Sequence, residues 1–215
     1  MEKDLSHYRK SYKKNILLIK DTPSEPLELF DKWFKDIDNN FPDVEANAMT
    51  LSTIGLDGFP KSRVVLLKSY NTNGFIFYTN YNSEKGKAIL KNSKVCLSFF
   101  WAEAERQIII KGNAVKTSKA ISDAYFNSRP LGSRLGALAS NQSETITNRI
   151  VLEDKLKALE EKYIDKDVVR PDFWGGFIVK PIAIEFWQGR DNRLHDRINY
   201  KLSLDGEWIK SRLSP

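Results

Sequence analysis

AMTLSTIGLDGFPKSRVVLLKSYNTNGFIFYT, residues 48–79, holds three apolar-rich runs separated by two turn dipeptides. Residues 48–54 alternate apolar and polar, the period of a strand with one face in a core. Asp57-Gly58 and Asn73-Gly74 are hairpin signals, because tight turns between antiparallel strands need positive φ, which Gly and Asn adopt at little cost. Residues 61–68 and 75–79 are then the second and third strands. With a period of two, Arg63, Val65 and Leu67 share one face, and Val64, Leu66 and Lys68 the other, unless a bulge intervenes.

Outward from this stretch the same grammar continues. Residues 95–101 and 107–115 are two further strands, the latter expected to break at Gly112-Asn113. About five strands in roughly seventy residues, joined by short turns, are most economically closed into an antiparallel barrel, which removes exposed edges. Residues 26–39 follow a helical period with Phe30, Trp33, Phe34 and Ile37 on one face and Ser24 as candidate cap. Asn82-Ser83 caps a short helix ending near Leu90, and residues 118–126 form another that Pro130 ends. A longer amphipathic helix is expected over residues 143–163, with Ile146, Ile150, Leu156, Leu159 and Tyr163 inward. Strands return after Trp174, and Asp205-Gly206 makes the final hairpin. The expected class is α+β: a Greek-key-like antiparallel β-barrel with flanking helices, one domain over residues 26–215. Residues 1–25 are polar and read as a flexible segment, with Tyr8, Arg9, Lys10 and Tyr12 able to fold over a ligand.

The 215 residues carry 34 Lys and Arg against 28 Asp and Glu, a net charge of +6. No basic repeat, helix-turn-helix pattern or RNA-binding aromatic motif accompanies that excess, so no nucleic-acid partner is expected. No apolar run approaches the roughly 20 residues of a membrane helix, and residues 1–14 lack the apolar stretch of a secretory signal. The single cysteine, Cys96, suits a reducing cytoplasm. Two distant histidines and one cysteine do not make a metal site.

The chemistry-bearing residues are cations and hydroxyls at strand and helix ends. Arg63 and Lys68 bracket four apolar residues; Tyr78-Thr79 ends a strand; Lys85 follows a helix cap, where free N–H groups favour anions. Gln107 can bond a heterocycle edge or simply face water. Tyr125, Arg129 and Ser133 recur every four residues, offering phenol, guanidinium and hydroxyl to a phosphate. Gln142-Ser143 sits at the expected start of the long helix. Residues 185–197, EFWQGRDNRLHDR, gather Arg190, Arg193, Arg197 and His195 in a turn after Trp187. That crowding of cations points to an anionic ligand or to a solvated basic hairpin. No Gly-x-Ser-x-Gly, Cys–His pair or Gly-rich nucleotide loop is present. Several phosphate-friendly sites with neither nucleophile nor metal suggest chemistry carried by a bound cofactor.

RVVLLK at 63–68, YTN at 78–80, RQ at 106–107, SRPLGSRLGALASNQS at 128–143, FWGG at 173–176, EFWQGRDNRLHDR and a terminal RLSP occur in the order and spacing of one family. The chain resembles the pyridoxine (pyridoxamine) 5′-phosphate oxidases from about Pro26 onward. The resemblance implies an FMN-binding split barrel, working as a homodimer with each flavin at the subunit interface. It implies flavin ligands Arg63, Val64, Val65, Leu66, Leu67, Lys68, Tyr78, Thr79, Lys85, Gln107, Gln142, Ser143, Trp187 and Arg197. Substrate ligands would be Lys68, Tyr125, Arg129 and Ser133 at the phosphate, and Arg193 and His195, the catalytic pair, over the pyridine ring. The implied reaction oxidises pyridoxamine or pyridoxine 5′-phosphate to pyridoxal 5′-phosphate, with O2 as acceptor and H2O2 as product. A flavin-dependent reductase, or a non-catalytic binder of FMN or pyridoxal phosphate, is the competing reading. Glu84 and Ile109 stand where the family usually has arginine, and Arg9 to Tyr12 resemble a substrate lid.

Overall fold

The computed structural model describes residues 3–215. In chain order it contains α1 (Pro26–Asn40), β1 (Ala48–Ile54), β2 (Pro60–Leu66), β3 (Ser69–Asn71), β4 (Gly74–Asn80), α2 (Glu84–Lys91) and β5 (Lys94–Trp101). There follow β6 (Arg106–Lys116), α3 (Lys119–Ser128), α4 (Leu131–Ala139), α5 (Ile150–Lys162), β7 (Trp174–Gln188), β8 (Asp196–Leu202) and β9 (Trp208–Leu213). Hydrogen bonds order the strands β2-β1-β5-β6-β7-β4-β3, with β8 on β7 and β9 on β8. The fifteen-residue β7 pairs antiparallel with β4 through its first half and with β8 through its second. The α+β class with an antiparallel sheet is therefore as expected.

The chain forms two compact units. The first comprises residues 1–50, 96–111 and 181–215. Its core forms where α1 lays Leu29, Phe30, Trp33 and Ile37, all buried, against aromatic strand residues. Phe30 meets Phe99 edge-on at 5.4 Å, and Trp33 meets Phe186 at 5.3 Å. Buried Arg106 lies over the Trp33 ring at 4.7 Å and bonds Asp36 and Gln188, so its charge stays paired inside the unit. Ser24 does not cap α1. The N-cap is Glu25 without a side-chain bond, and Pro26 starts the helix, its fixed φ suited to a first turn that needs no N–H.

The second unit comprises residues 51–95 and 112–180. Phe126, Leu135, Val168 and Trp174 form a buried cluster against which Leu156 and Leu159 of α5 and Tyr163, its C-cap, pack. Two expectations fail here. The long helix begins at Ile150, not at residue 143, because Ser143 adopts φ 76, which is incompatible with helical geometry, and Asn148 accepts the Val151 N–H at the true start. Ile146 consequently lies off the helix, and Ile150 is exposed. Nor does Gly112 break its strand: β6 runs through it, and a Cβ there would sit 2.3 Å from the Lys180 carbonyl oxygen. The glycine is required by close backbone approach, a role that a turn signal mimics.

Candidate functional site

Within the second unit a cavity of about 880 Å³ is lined by Arg63, Val64, Val65, Leu66, Lys68, Tyr78, Thr79, Lys85, Tyr125, Arg129, Ser133 and Gln142. Sequence reasoning overlooked Asn80, Pro130, Gly136, Ala137, Ser140 and Trp174, which complete the wall. Residues far apart in sequence meet here: Arg63 to Leu66 come from β2, Tyr78 to Asn80 from β4, Lys85 from α2, Tyr125 from α3, and Ser133, Gly136 and Ala137 from α4. Arg63 is held by Thr53 Oγ1 at 2.8 Å and by the Lys61 and Leu51 carbonyls, with burial drawing its pKa below the ordinary arginine value. Gln142 Oε1 accepts from Lys85 Nζ at 3.0 Å and from Thr79 Oγ1 at 3.3 Å. Burial, then the neighbouring Arg63 charge, lowers the Lys85 pKa. Two cations thus face one end of the cavity without a carboxylate lining it.

The aromatic side is a stack. Tyr78 and Tyr125 lie 3.8 Å apart at 15°, and Trp174 is nearly parallel to both. Arg129 lies over the Trp174 ring at 4.6 Å, and its Nη1 is buried with no hydrogen-bond partner. Burial lowers the Arg129 pKa and raises that of Tyr125, but a guanidinium stays charged at any working pH. A buried guanidinium N–H with no acceptor is costly unless something supplies one.

The first unit carries a second cavity, of about 770 Å³, lined by Tyr8, Arg9, Lys10, Ser11, Tyr12, Arg190, Asn192, Arg193 and His195. Asn192 and Arg193 both have positive φ, turning the chain sharply so that Arg193 and His195 face the same space. His195 Nδ1 accepts the Arg190 N–H at 3.1 Å, so the neutral ring carries its proton on Nε2. Burial lowers the His195 pKa, the Arg193 charge adds to this, and Asp196 opposes it. Tyr12 packs edge-on to Trp187 at 5.8 Å, and Trp187 lies 4.7 Å from His195.

The remaining sequence candidates line neither cavity. Leu67 is buried, its side chain in the core. Gln107 and Ile109 occupy the half-buried face of β6, whose other face buries Arg106, Ile108 and Ile110. Arg197 is clamped by Glu185 through two bonds, at 2.8 and 3.1 Å, and by the Ser214 carbonyl, and the Glu185 bond raises its pKa. Ser143 lines a smaller cavity of about 330 Å³, and its Oγ accepts the Glu84 N–H at 3.3 Å. With α5 starting at Ile150, Gln142 and Ser143 are not at a helix N-terminus and have no free helical N–H groups to offer an anion. Glu84 pairs with Lys61 at 2.6 Å.

Two family profiles match the chain: "Pyridoxamine 5′-phosphate oxidase" over residues 39–163, and "Pyridoxine 5′-phosphate oxidase C-terminal dimerisation region" over residues 174–215. The chain belongs to the pyridoxine/pyridoxamine 5′-phosphate oxidase family. Relatives bearing that name from Flavobacterium johnsoniae and Flavobacterium psychrophilum are 61% and 59% identical, covering 98% and 99% of this chain and 99% and 100% of their own. Among solved structures, PhzG from Burkholderia lata in complex with tetrahydrophenazine-1-carboxylic acid has TM-score 0.85 at 29% identity, covering 94% of this chain and 98% of its own. A pyridoxamine 5′-phosphate oxidase-related, FMN-binding protein from Nostoc punctiforme has TM-score 0.70 at 14% identity, covering 90% and 100%, a likeness of fold alone. The family assignment makes the chain an oxidoreductase with the split-barrel fold of these neighbours. No helix among the described residues is long and apolar enough to cross a membrane.

Proposed function

We propose that the chain is a cytoplasmic, homodimeric oxidase that converts pyridoxamine or pyridoxine 5′-phosphate to pyridoxal 5′-phosphate, with one FMN per chain at the subunit interface. The observation that carries this reading is the buried, unpartnered Nη1 of Arg129 beside Tyr125, Ser133 and Lys68. A phosphate monoester supplies the acceptor that Arg129 Nη1 lacks, and planar guanidinium geometry suits it. The Arg63–Lys85–Gln142–Thr79 cluster in the same cavity is a second anion site, and FMN brings a second phosphate. FMN therefore fits the donor set, with Arg63, Lys85, Gln142 and Thr79 holding its phosphate end and Val64, Val65 and Leu66 flanking its apolar part.

FMN supplies a two-electron acceptor for the substrate's 4′ carbon, with O2 as the final oxidant and H2O2 as product. The chain's residues supply binding, orientation and electrostatics. Lys68, Tyr125, Arg129 and Ser133 anchor the substrate's phosphate, spending remote binding energy on orientation of the reacting carbon. Arg193, permanently charged, orients the ring and stabilises negative charge developing on it. His195 offers an Nε2–H donor, because its Nδ1 is occupied by the Arg190 N–H. Mixing the FMN-loaded protein with pyridoxamine 5′-phosphate without oxygen should bleach the flavin absorbance. A flavin that stays oxidised under those conditions, while free electron donors reduce it, points instead to a reductase or a non-catalytic binder.

A further inference from the structure

Both walls of the cavity that holds Arg193 and His195 are chain outside the α-helices and β-strands. One is the extended segment carrying Tyr8 to Tyr12; the other is the turn from Gly189 to His195. A cavity built from two such pieces keeps its shape only if something holds them in register. Tyr12 is one contact between them, beside the hydrogen bond that the Ser11 hydroxyl donates to Asp191 Oδ1 and the Lys13–Asp191 ion pair. Its ring packs against Gly189, where an added Cβ would lie 2.7 Å away, and its centroid is 6.1 Å from that of His195.

Glu105 touches both pieces and lines neither cavity. It is 3% exposed and sits in the left-handed region at φ 56, unusual for a residue with a side chain. Its Oε2 accepts the backbone N–H groups of Lys13, at 2.8 Å, and Lys14, at 2.9 Å, the two residues that follow Tyr12. Its main-chain carbonyl accepts the Gly189 N–H at 2.7 Å and Gln188 Nε2 at 3.1 Å, at the root of the turn. No cation of the described residues forms an ion pair with its carboxylate, so the buried charge is held by the amides of the segment itself. A carboxylate in so enclosed a place would cost stability without those donors. Left-handed backbone at a non-glycine residue marks a position that its surroundings over-determine, and such positions cluster at functional sites.

We infer that Glu105 is a positioning residue for substrate binding: it clamps residues 13–14 and the 188–189 turn together, and so sets Tyr12 against Arg193 and His195. This inference rests on the proposed oxidase activity, because it takes the cavity as the place where the substrate's ring is held.

The test uses the full-length, FMN-loaded protein and three variants. Glu105→Asn retracts the acceptor by one methylene while keeping a residue that tolerates left-handed backbone; Glu105→Gln keeps an oxygen at full reach; Tyr12→Ala removes the ring that the clamp positions. In Glu105→Asn, amide exchange of residues 13–14 should quicken about tenfold or more, since two part-buried bonds to a carboxylate are lost. Its KM for pyridoxamine 5′-phosphate should rise about tenfold with kcat within about threefold, the pattern of lost uniform binding. Glu105→Gln should restore most of both. Tyr12→Ala should raise KM similarly, and the double variant should add little to either single change, as for residues acting as one unit. Unchanged exchange at residues 13–14 in Glu105→Asn overturns the clamp, and fully additive KM effects overturn its action through Tyr12. Should the parent protein fail to oxidise pyridoxamine 5′-phosphate at all, the functional reading falls, while the exchange measurement still decides the clamp.

Discussion

The tasks proposed for Arg193, His195 and Arg129 differ, and substitution should separate them. Arg193→Ala should lower kcat/KM by about 10²-fold or more with FMN retained, since small misplacement of a reacting carbon is costly. His195→Ala should cost about tenfold if its Nε2–H positions the substrate. Arg129→Ala should act mainly on KM by removing the phosphate contact. Nearly normal turnover in Arg193→Ala would sink the assignment of the ring site. The pH dependence follows from the depressed His195 pKa, caused first by burial and then by Arg193. The folded protein stays neutral at His195 below the pH at which the unfolded chain protonates it. Acidification from about pH 6.5 therefore loses stability until the folded pKa is passed, because the unfolded chain binds more protons in that window. The same protonation destroys the Nδ1 acceptor of the Arg190 N–H, so the acid limb of kcat/KM should lie below about pH 6.5 and vanish in His195→Ala.

Between elements, two contacts inside the second unit are open to test. Gly112 lets β6 approach the backbone at Lys180, leaving 2.3 Å for a Cβ where ordinary contact needs well over 3 Å. Gly112→Ala should therefore destabilise by about 1–3 kcal/mol, the range for overpacking, read as a lowered midpoint of chemical unfolding with unchanged slope. A variant as stable as the parent would show that β6 and β7 can separate locally. The second contact joins β2 to α2, where Lys61 meets Glu84 with both side chains about half exposed. Glu84 is thus turned to a lysine at the rim and does not line the cavity. Glu84→Arg frees Lys61 and adds a cation near Arg63 and Lys85. FMN affinity should rise by about 0.2–1 kcal/mol at low salt, the range for exposed charge contacts, and the gain should fade at high salt. Weaker FMN binding in titration would show that the Lys61–Glu84 pair itself shapes the site.

At the scale of the whole molecule, the match of residues 174–215 to a dimerisation region and the proposed flavin site make stoichiometry the informative quantity. The purified protein should be yellow and dimeric, with one FMN per chain. Light scattering coupled to the absorbance ratio of flavin to protein measures both at once. A colourless monomer that takes up no FMN would count against the proposal entirely. Dilution to the monomer, if reachable, should release flavin in step with dissociation, because binding that requires two chains is linked to their association.

Residues 48–79 displayed β1, β4 and both turns openly, since alternation and Asn-Gly or Asp-Gly turns are local facts set by side-chain period and backbone φ. The strand expected over 61–68, however, ends at Leu66, and the short β3 that pairs with β4 across Asn73-Gly74 was not foreseen. The inventory of Arg63, Lys68, Lys85, Tyr125, Arg129 and Ser133 was likewise legible, as was the family resemblance. The sequence could not say which of these share a space. The tertiary structure gathers them around one cavity, sends Leu67 into the core and ties Arg197 to Glu185. It also delays the start of the long helix to Ile150, because the left-handed backbone at Ser143 overrides a favourable period that propensity alone could not reject. Glu105 carried no local signal at all. Its meaning lies in bonds to Lys13 and Lys14, about ninety residues away, and to the turn at Gly189. Periodicity records which face of an element is apolar. The partner that satisfies a buried polar group is chosen only when distant segments pack, and there the structure decided what the sequence left open.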